Sequence, residues 1–137
     1  MALTHLADTS IIKRIAVPGV RDRVEELLGG GCLARSSITD LEVGYSARNA
    51  AEWDRLAQDL DAFELVETTA AHVRRALLVQ RLLAERSKRG RKIPDLLIAA
   101  AAEELGLVVL HFDADFDRIA EVTGQRCEWV VDAGSID

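Results

Sequence analysis

The residues of this 137-residue chain best suited to chemistry are acids. They are Asp8 near the N-terminus, Glu42 within Thr39-Asp40-Leu41-Glu42, Asp95 after Pro94, and the run Asp113-Ala114-Asp115-Phe116-Asp117. Carboxylates gathered in one cleft repel one another and lose hydration, which destabilises the fold unless protons or cations compensate. Magnesium and manganese prefer oxygen ligands, and magnesium commonly combines a few carboxylates with water and substrate phosphate. A site of that kind suits phosphodiester cleavage, because the cation polarises phosphate, lowers the pKa of attacking water and stabilises the leaving oxygen. No Ser, Cys or His nucleophile is required.

Each acid also has a local structural explanation. Asp8 can cap a helix after the first strand. Glu42 completes Thr39-x-x-Glu42, a capping box as written. Asp95 would meet the positive end of a helix dipole, and Asp113 to Asp117 can be a solvated acidic loop. Asp117 reads as surface or helix cap. Other chemistries fail on spacing. An EF-hand reading of Asp113-Ala114-Asp115-Phe116-Asp117 meets Arg118 where the turn needs Gly, and Gly124 where a bidentate Glu belongs. Gly29-Gly30-Gly31 lacks the Gly-Lys-Ser/Thr of a phosphate loop. His5, His72 and His111 have no metal-binding spacing. The early Asp-x-Asp of a haloacid-dehalogenase phosphatase is missing, since Asp8 precedes Thr9-Ser10, and the adjacent early acids and later Lys of a receiver domain are not found either.

The elements that must bring these acids together alternate in type. Leu3 to Ala7 reads as a strand ending at Asp8, and a helix opens at Thr9. A second helix runs through Val20, Val24, Leu27 and Leu28 to the Gly29-Gly30-Gly31 stop. Cys32 to Ser36 is a second strand, followed by a helix opening at Thr39-Asp40-Leu41-Glu42 and another from Ala51 to Leu60. Phe63 to Val66 is a short strand. The helix over 70–85 is expected to turn Val73, Ala76, Leu77, Gln80, Leu83 and Ala84 to one side. Pro94 starts a helix that Gly106 ends, Leu107 to Leu110 is a buried strand, Phe116 to Val122 a helix, and Cys127 to Val131 a last strand.

Strands alternating with helices imply a parallel sheet covered on both faces, a three-layer α/β/α sandwich formed by residues 1–137 as one domain. Ligands of such open sheets bind beyond the carboxyl ends of the strands. Asp8 and Asp113 fall at two such ends. Glu42 and Asp95, read as lying in the first turns of their helices, can point to the same edge.

Composition sets outer limits. Hydrophobic residues are 49% and charged residues 29%, the balance of a globular chain. Cys32 and Cys127 lack a paired spacing and read as free thiols in a reducing compartment, which disfavours zinc. The N-terminus has no basic segment followed by an apolar stretch, and the most apolar run, 93–102, is too short to span a membrane, so a cytoplasmic location is expected. A formal net charge of −6 argues against nucleic-acid binding by general basicity. Arg86, Lys88, Arg89, Arg91 and Lys92 nevertheless crowd one short segment. It is either a solvated charge run or a basic patch beside the acidic pocket.

Taken in order, Leu6-Ala7-Asp8-Thr9-Ser10, Ser37-Ile38-Thr39-Asp40-Leu41-Glu42-Val43-Gly44-Tyr45, Pro94-Asp95-Leu96-Leu97-Ile98-Ala99-Ala100 and Asp113-Ala114-Asp115-Phe116-Asp117 resemble the PIN-domain proteins, specifically the VapC-type toxins of bacterial toxin–antitoxin pairs. The resemblance implies a PIN-like fold and a site of Asp8, Glu42, Asp95 and Asp113, with Asp115 as an accessory ligand and Thr9 as the hydroxyl beside the first Asp. It implies endonucleolytic, Mg²⁺- or Mn²⁺-dependent RNA hydrolysis that inhibits translation. It further implies restraint by a VapB-type antitoxin whose C-terminal segment lies across the acidic site. Contact with DNA would come only through the antitoxin, in a homodimer or a toxin–antitoxin hetero-oligomer. Many relatives carry Thr or Ser where this chain has His111, which puts one outer hydrogen bond in question. The basic segment would grip RNA backbone or pair with antitoxin acids. Leu41, Tyr45, Trp53 and Leu56 are candidate interface residues, with core packing as the alternative. A noncatalytic PIN-like RNA- or protein-binding module is the competing function.

Overall fold

Leu6 and Ala7, adjacent in the first strand, bury their side chains in two different cores. That alternation is the signature of a sheet covered on both faces. The computed structural model describes residues 2–87 and 92–137. In chain order these form β1 (His5–Ala7), α1 (Thr9–Ile12), α2 (Pro18–Gly29), β2 (Leu33–Ser36), α3 (Ser37–Tyr45), α4 (Ala50–Leu60), β3 (Glu64–Val66), α5 (Ala70–Glu85), α6 (Ile93–Leu105), β4 (Val108–His111), α7 (Asp115–Thr123) and β5 (Cys127–Trp129). All strand pairings are parallel, in the order β3-β2-β1-β4-β5.

Leu6, Ala34 and Val109 pack with α5, α6 and α7 on one face. Ala7, Leu33 and Leu110 pack with Ile11 of α1 and with Val20, Val24 and Leu27 of α2 on the other. The result is the expected α/β/α sandwich. Its strand order reverses at β1: the chain builds outward through β2 and β3, then returns to place β4 on the other side. A crevice therefore opens between the carboxyl ends of β1 and β4, where open sheets of this kind hold ligands.

Two expectations are corrected. The N-cap of α3 is Ser36, whose hydroxyl accepts from the Ile38 N–H, so Thr39 and Glu42 lie inside the helix and form no capping box. Sequence spacing alone favoured the Thr-x-x-Glu pattern, but β2 runs straight into the helix and Ser36 takes the cap. The buried face of α5 is His72, Ala76, Val79 and Leu83, whereas Val73, Leu77, Gln80 and Ala84 are exposed. There His72 forms the capping box with Thr69 and also bonds Glu104 at 3.0 Å, which locks that rotation of the helix against α6. The last strand is shorter than expected, ending at Trp129. Gly106, at φ +68°, closes α6 in the left-handed conformation.

Cys32 and Cys127 are free. Among the described residues, no helix is long and apolar enough to cross a membrane.

Candidate active site

Asp8 follows β1 directly. Its backbone N–H continues the sheet by donating to Leu110 O at 2.9 Å, and its Oδ2 caps α1 by accepting from the Ser10 N–H at 3.0 Å. Capping uses only one oxygen. Oδ1 is buried without a hydrogen-bond partner. Burial, followed by the nearby charges of Glu42 and Asp113, pushes this carboxyl above its usual value despite the Ser10 contacts.

Asp113 stands two residues beyond β4, at the neighbouring strand end. The chain turns there because His111 Nδ1 accepts the Asp113 N–H at 3.2 Å and Asp113 Oδ1 accepts the Asp115 N–H at 2.9 Å. His111 is fully buried, with its ring 4.9 Å from Phe116 and 5.0 Å from Trp129 between centroids. Burial depresses its pKa to about 4, so it is neutral at physiological pH and accepts through Nδ1. The residue whose presence put an outer hydrogen bond in question thus supplies one, to backbone.

Asp95 reaches the crevice from the first turn of α6, where Pro94 sets the helix start. It is 5% exposed, and its Oδ2 has no hydrogen-bond partner. Burial, then the charges of Asp8 and Asp113, raises its pKa to about 8, so near neutral pH it holds a proton that it shares toward Asp113. Carboxylate oxygens of Asp95, Asp113 and Asp115 lie within 4.8 Å of one another, close enough to hold one cation.

Glu42 arrives from the second turn of α3 rather than the first. Thr9 Oγ1 donates to Glu42 Oε1 at 2.6 Å and lies 3.0 Å from Thr39 Oγ1, so the hydroxyl after Asp8 ties α3 to α1 and aims the glutamate at the crevice. Asp8, Glu42, Asp95 and Asp113 all line a cleft of about 550 Å³. Asp117 stands outside it, accepting a hydrogen bond from Trp129 Nε1 at 3.2 Å.

Lys92 closes the acidic side. Its Nζ sits 2.7 Å from Asp113 Oδ2. Burial works to raise the Asp113 carboxyl, but the Lys92 ammonium and the Asp115 N–H outweigh it and leave this acid below its usual range. Of the basic segment, Arg86 is exposed at the end of α5 and Lys92 belongs to the cleft. Lys88, Arg89 and Arg91 lie outside the described residues.

Sequence reasoning missed the opposite wall. Lys13, Arg14, Phe112, Trp129 and Ile136 also line the cleft. The adjacent cations Lys13-Arg14, one turn after Asp8, were the signal available for it. Leu41 is 70% exposed, Tyr45 93% and Trp53 51%, while Leu56 is half-buried. The first three are therefore surface rather than core.

The side chains of the acid cluster offer only oxygen, and two buried carboxylate atoms have no partner. Both features fit a hard divalent cation better than a thiol-seeking metal.

Comparison with known proteins agrees with this geometry. The PIN domain family matches residues 6–122. The chain belongs to the PIN-domain family. Within that family it is VapC-type: Ribonuclease VapC51 of Mycobacterium tuberculosis is 68% identical over 137 residues, covering 100% of both chains. Ribonuclease VapC21 of the same organism is 44% identical, over 98% of this chain and 99% of the relative. Among solved structures, the DNA-bound VapBC of Salmonella typhimurium aligns with a TM-score of 0.77 at 23% identity, over 94% of this chain and 99% of that one. VapBC-1 of nontypeable Haemophilus influenzae aligns at 0.76 and 21%, over 95% and 98%. At these identities the structural matches establish the PIN fold.

Proposed function

We propose that this VapC-type PIN domain is an endoribonuclease, dependent on Mg²⁺ or Mn²⁺, that acts as the toxin of a toxin–antitoxin pair and inhibits translation. The observation that carries the proposal is the convergence of Asp8, Glu42, Asp95 and Asp113 at the β1–β4 crevice, with two buried carboxylate oxygens left unpartnered. Its relatives' designation as ribonucleases supports the substrate class.

Asp8, Asp95 and Asp113 would hold the cation, with Glu42 and Asp115 completing its oxygen shell directly or through water. When bound, the cation supplies charge to a phosphate and acidity to a water. The protein's own groups do the rest. Thr9 fixes Glu42 through a 2.6 Å hydrogen bond. Asp8, whose Oδ2 caps α1 by accepting from the Ser10 N–H, is held at the start of that helix. Asp95, whose carboxyl is raised by burial and by Asp8 and Asp113, would release its proton to solvent in offering its oxygens to such a cation. Lys92, now the counter-ion of Asp113, would be available to a phosphate oxygen once a cation took that role, and Arg86, Lys88, Arg89 and Arg91, its neighbours in sequence, are proposed as further contacts to the RNA backbone.

The VapBC structures that share the fold support a VapB-type antitoxin as partner. An apolar groove of about 330 Å³, lined by Ile12, Ile15, Val24, Leu28, Leu56 and Phe63, adjoins α1 and offers a helix from such a partner a seat beside the cleft. DNA would be reached only through that partner. Exposed Leu41, Tyr45 and Trp53 fit a homodimer contact.

The test uses antitoxin-free protein on a total small-RNA pool with Mn²⁺, with Mg²⁺ and with chelator, comparing wild type with Asp95→Asn. Discrete products from wild type with metal alone are expected. Folded wild type that binds metal and cuts nothing would favour a noncatalytic RNA- or protein-binding module, and equal cutting by Asp95→Asn would overturn the acidic mechanism.

A further inference from the structure

The cleft is lined by two unlike sets of groups. One is the acid cluster with Lys92. The other is aromatic and cationic, and the chemistry of phosphodiester cleavage makes no use of it. Phe112 is the residue immediately before Asp113, and its backbone N–H is held by Ser10 Oγ at 2.8 Å, which ties it to the α1 segment that carries Asp8. Its ring meets Trp129 edge to face, with centroids 5.4 Å apart and planes at 89°. The Arg14 guanidinium lies 4.9 Å from the Phe112 ring centroid and donates to Ser10 O at 2.8 Å. Both rings are half-buried, and both line the same cleft as the acids.

Fixed aromatic faces and a planar guanidinium are the groups on which unstacked bases settle in single-stranded RNA recognition. A merely structural aromatic pair would be expected to close over the sheet. These rings instead line the cleft at right angles to each other, and Phe112 is one residue from a proposed cation ligand. We propose that Phe112, Trp129 and Arg14 form a nucleobase subsite that takes the base next to the phosphate held at the acid cluster. The proposal rests on RNA as the substrate class and adds a determinant of how the strand is seated. Arg14, which lies over the Phe112 ring and pairs with Asp137 at 2.5 Å, exchanges that carboxylate for the phosphate and uncovers the ring for the base. Trp129, held by Asp117 through Nε1, keeps the corner in shape. The subsite accepts the π-face of the base, so it serves any nucleobase and its rings add nothing to the binding of a bare sugar-phosphate chain.

The chain contains two tryptophans. Trp53→Phe, on α4 and not among the residues lining the cleft, leaves Trp129 as the sole tryptophan reporter. Full-length Trp53→Phe protein is titrated, in Mn²⁺, with 2′-O-methyl pentanucleotides and with an abasic ribose-phosphate chain of equal length. Trp129 fluorescence is expected to be quenched by the base-bearing probes and hardly altered by the abasic chain. Phe112→Leu, which keeps volume and removes the π-face, is expected to weaken base-bearing probes about tenfold or more and to leave abasic binding unchanged. Phe112→Tyr restores binding. Equal affinity for base-bearing and abasic chains, or equal losses for both in a normally melting Phe112→Leu protein, would overturn the subsite. Base-dependent quenching from a protein that cleaves no RNA would retain the subsite and refute the nuclease reading. Cleavage with base-independent binding would do the reverse.

Discussion

Replacing Asp95 with Asn should stabilise the metal-free protein, and the structure sets both the size and the pH dependence of the gain. Asp95 is 5% exposed, and burial followed by the charges of Asp8 and Asp113 raises its carboxyl from 3.8 to about 8. A carboxyl raised in this way binds its proton more tightly folded than unfolded, so stability falls as pH climbs from 3.8 toward 8 and levels off beyond. Between 3.8 and pH 7 lie about three pH units at ~1.4 kcal/mol each, an upper bound of about 4 kcal/mol. The cleft opens to water on one side and Lys92 screens part of the repulsion, which reduces the figure to about 2 kcal/mol. The carboxamide of Asn can donate toward Asp113 much as the protonated acid does, so no new unsatisfied donor should offset the gain. Thermal melts in chelator at pH 5, 7 and 8.5 should show Asp95→Asn exceeding wild type by roughly 6 °C at pH 7, more at pH 8.5 and little at pH 5. Saturating Mn²⁺ should reverse the order, since a hundredfold excess over Kd contributes about 2.7 kcal/mol to whichever protein binds it. A pH-independent difference between the two proteins, or equal Mn²⁺ shifts in both, would refute the reasoning.

Other perturbations act on different links of the same site. Thr9→Val keeps shape but removes the hydroxyl that holds Glu42, and should cost about 1–2 kcal/mol in urea unfolding and weaken Mn²⁺ binding measured by calorimetry. Unchanged affinity would detach Glu42 from the cation. Lys92→Met removes the ammonium that keeps the Asp113 carboxyl low, so metal-free protein should lose stability at pH 8, and the deficit should narrow with saturating Mn²⁺; a constant deficit would show that Lys92 does not stand in for a cation. Gly106→Ala places a Cβ in open space but on a backbone at φ +68°, and should cost about 1 kcal/mol of stability while leaving metal affinity untouched. Arg89→Ala with Arg91→Ala should flatten the salt dependence of RNA binding by a slope of about one to two, and an unchanged slope would remove those cations from the RNA contact.

The acids that meet in the cleft were legible because chemistry restricts them by type. A cluster of carboxylates is recognisable at the ends of buried strands and the starts of helices even before it is known which strands are neighbours. The alternation of strands with helices and the continuous apolar run over 107–110 likewise required a parallel sheet covered on both sides. Sequence alone therefore determined the layered fold, and the resemblance to VapC-type toxins singled out Asp8, Glu42, Asp95 and Asp113, which line one cleft. What it could not supply was anything set by contacts between distant segments. Strand order places β1 beside β4, and only that adjacency brings Asp8 to Asp113. The cap of α3 went to Ser36 because β2 runs directly into the helix, and the face of α5 was set by His72 bonding to Glu104 across a helix pair, where hydrophobic spacing had favoured Val73 and Leu77. Lys92 became the counter-ion of Asp113, and Phe112, Trp129 and Arg14 became a second wall, through separations of 21, 17 and 98 residues that no local pattern records. Propensity and periodicity act over a turn or two of chain, whereas the field and shape of a cleft are sums over every segment that folds around it.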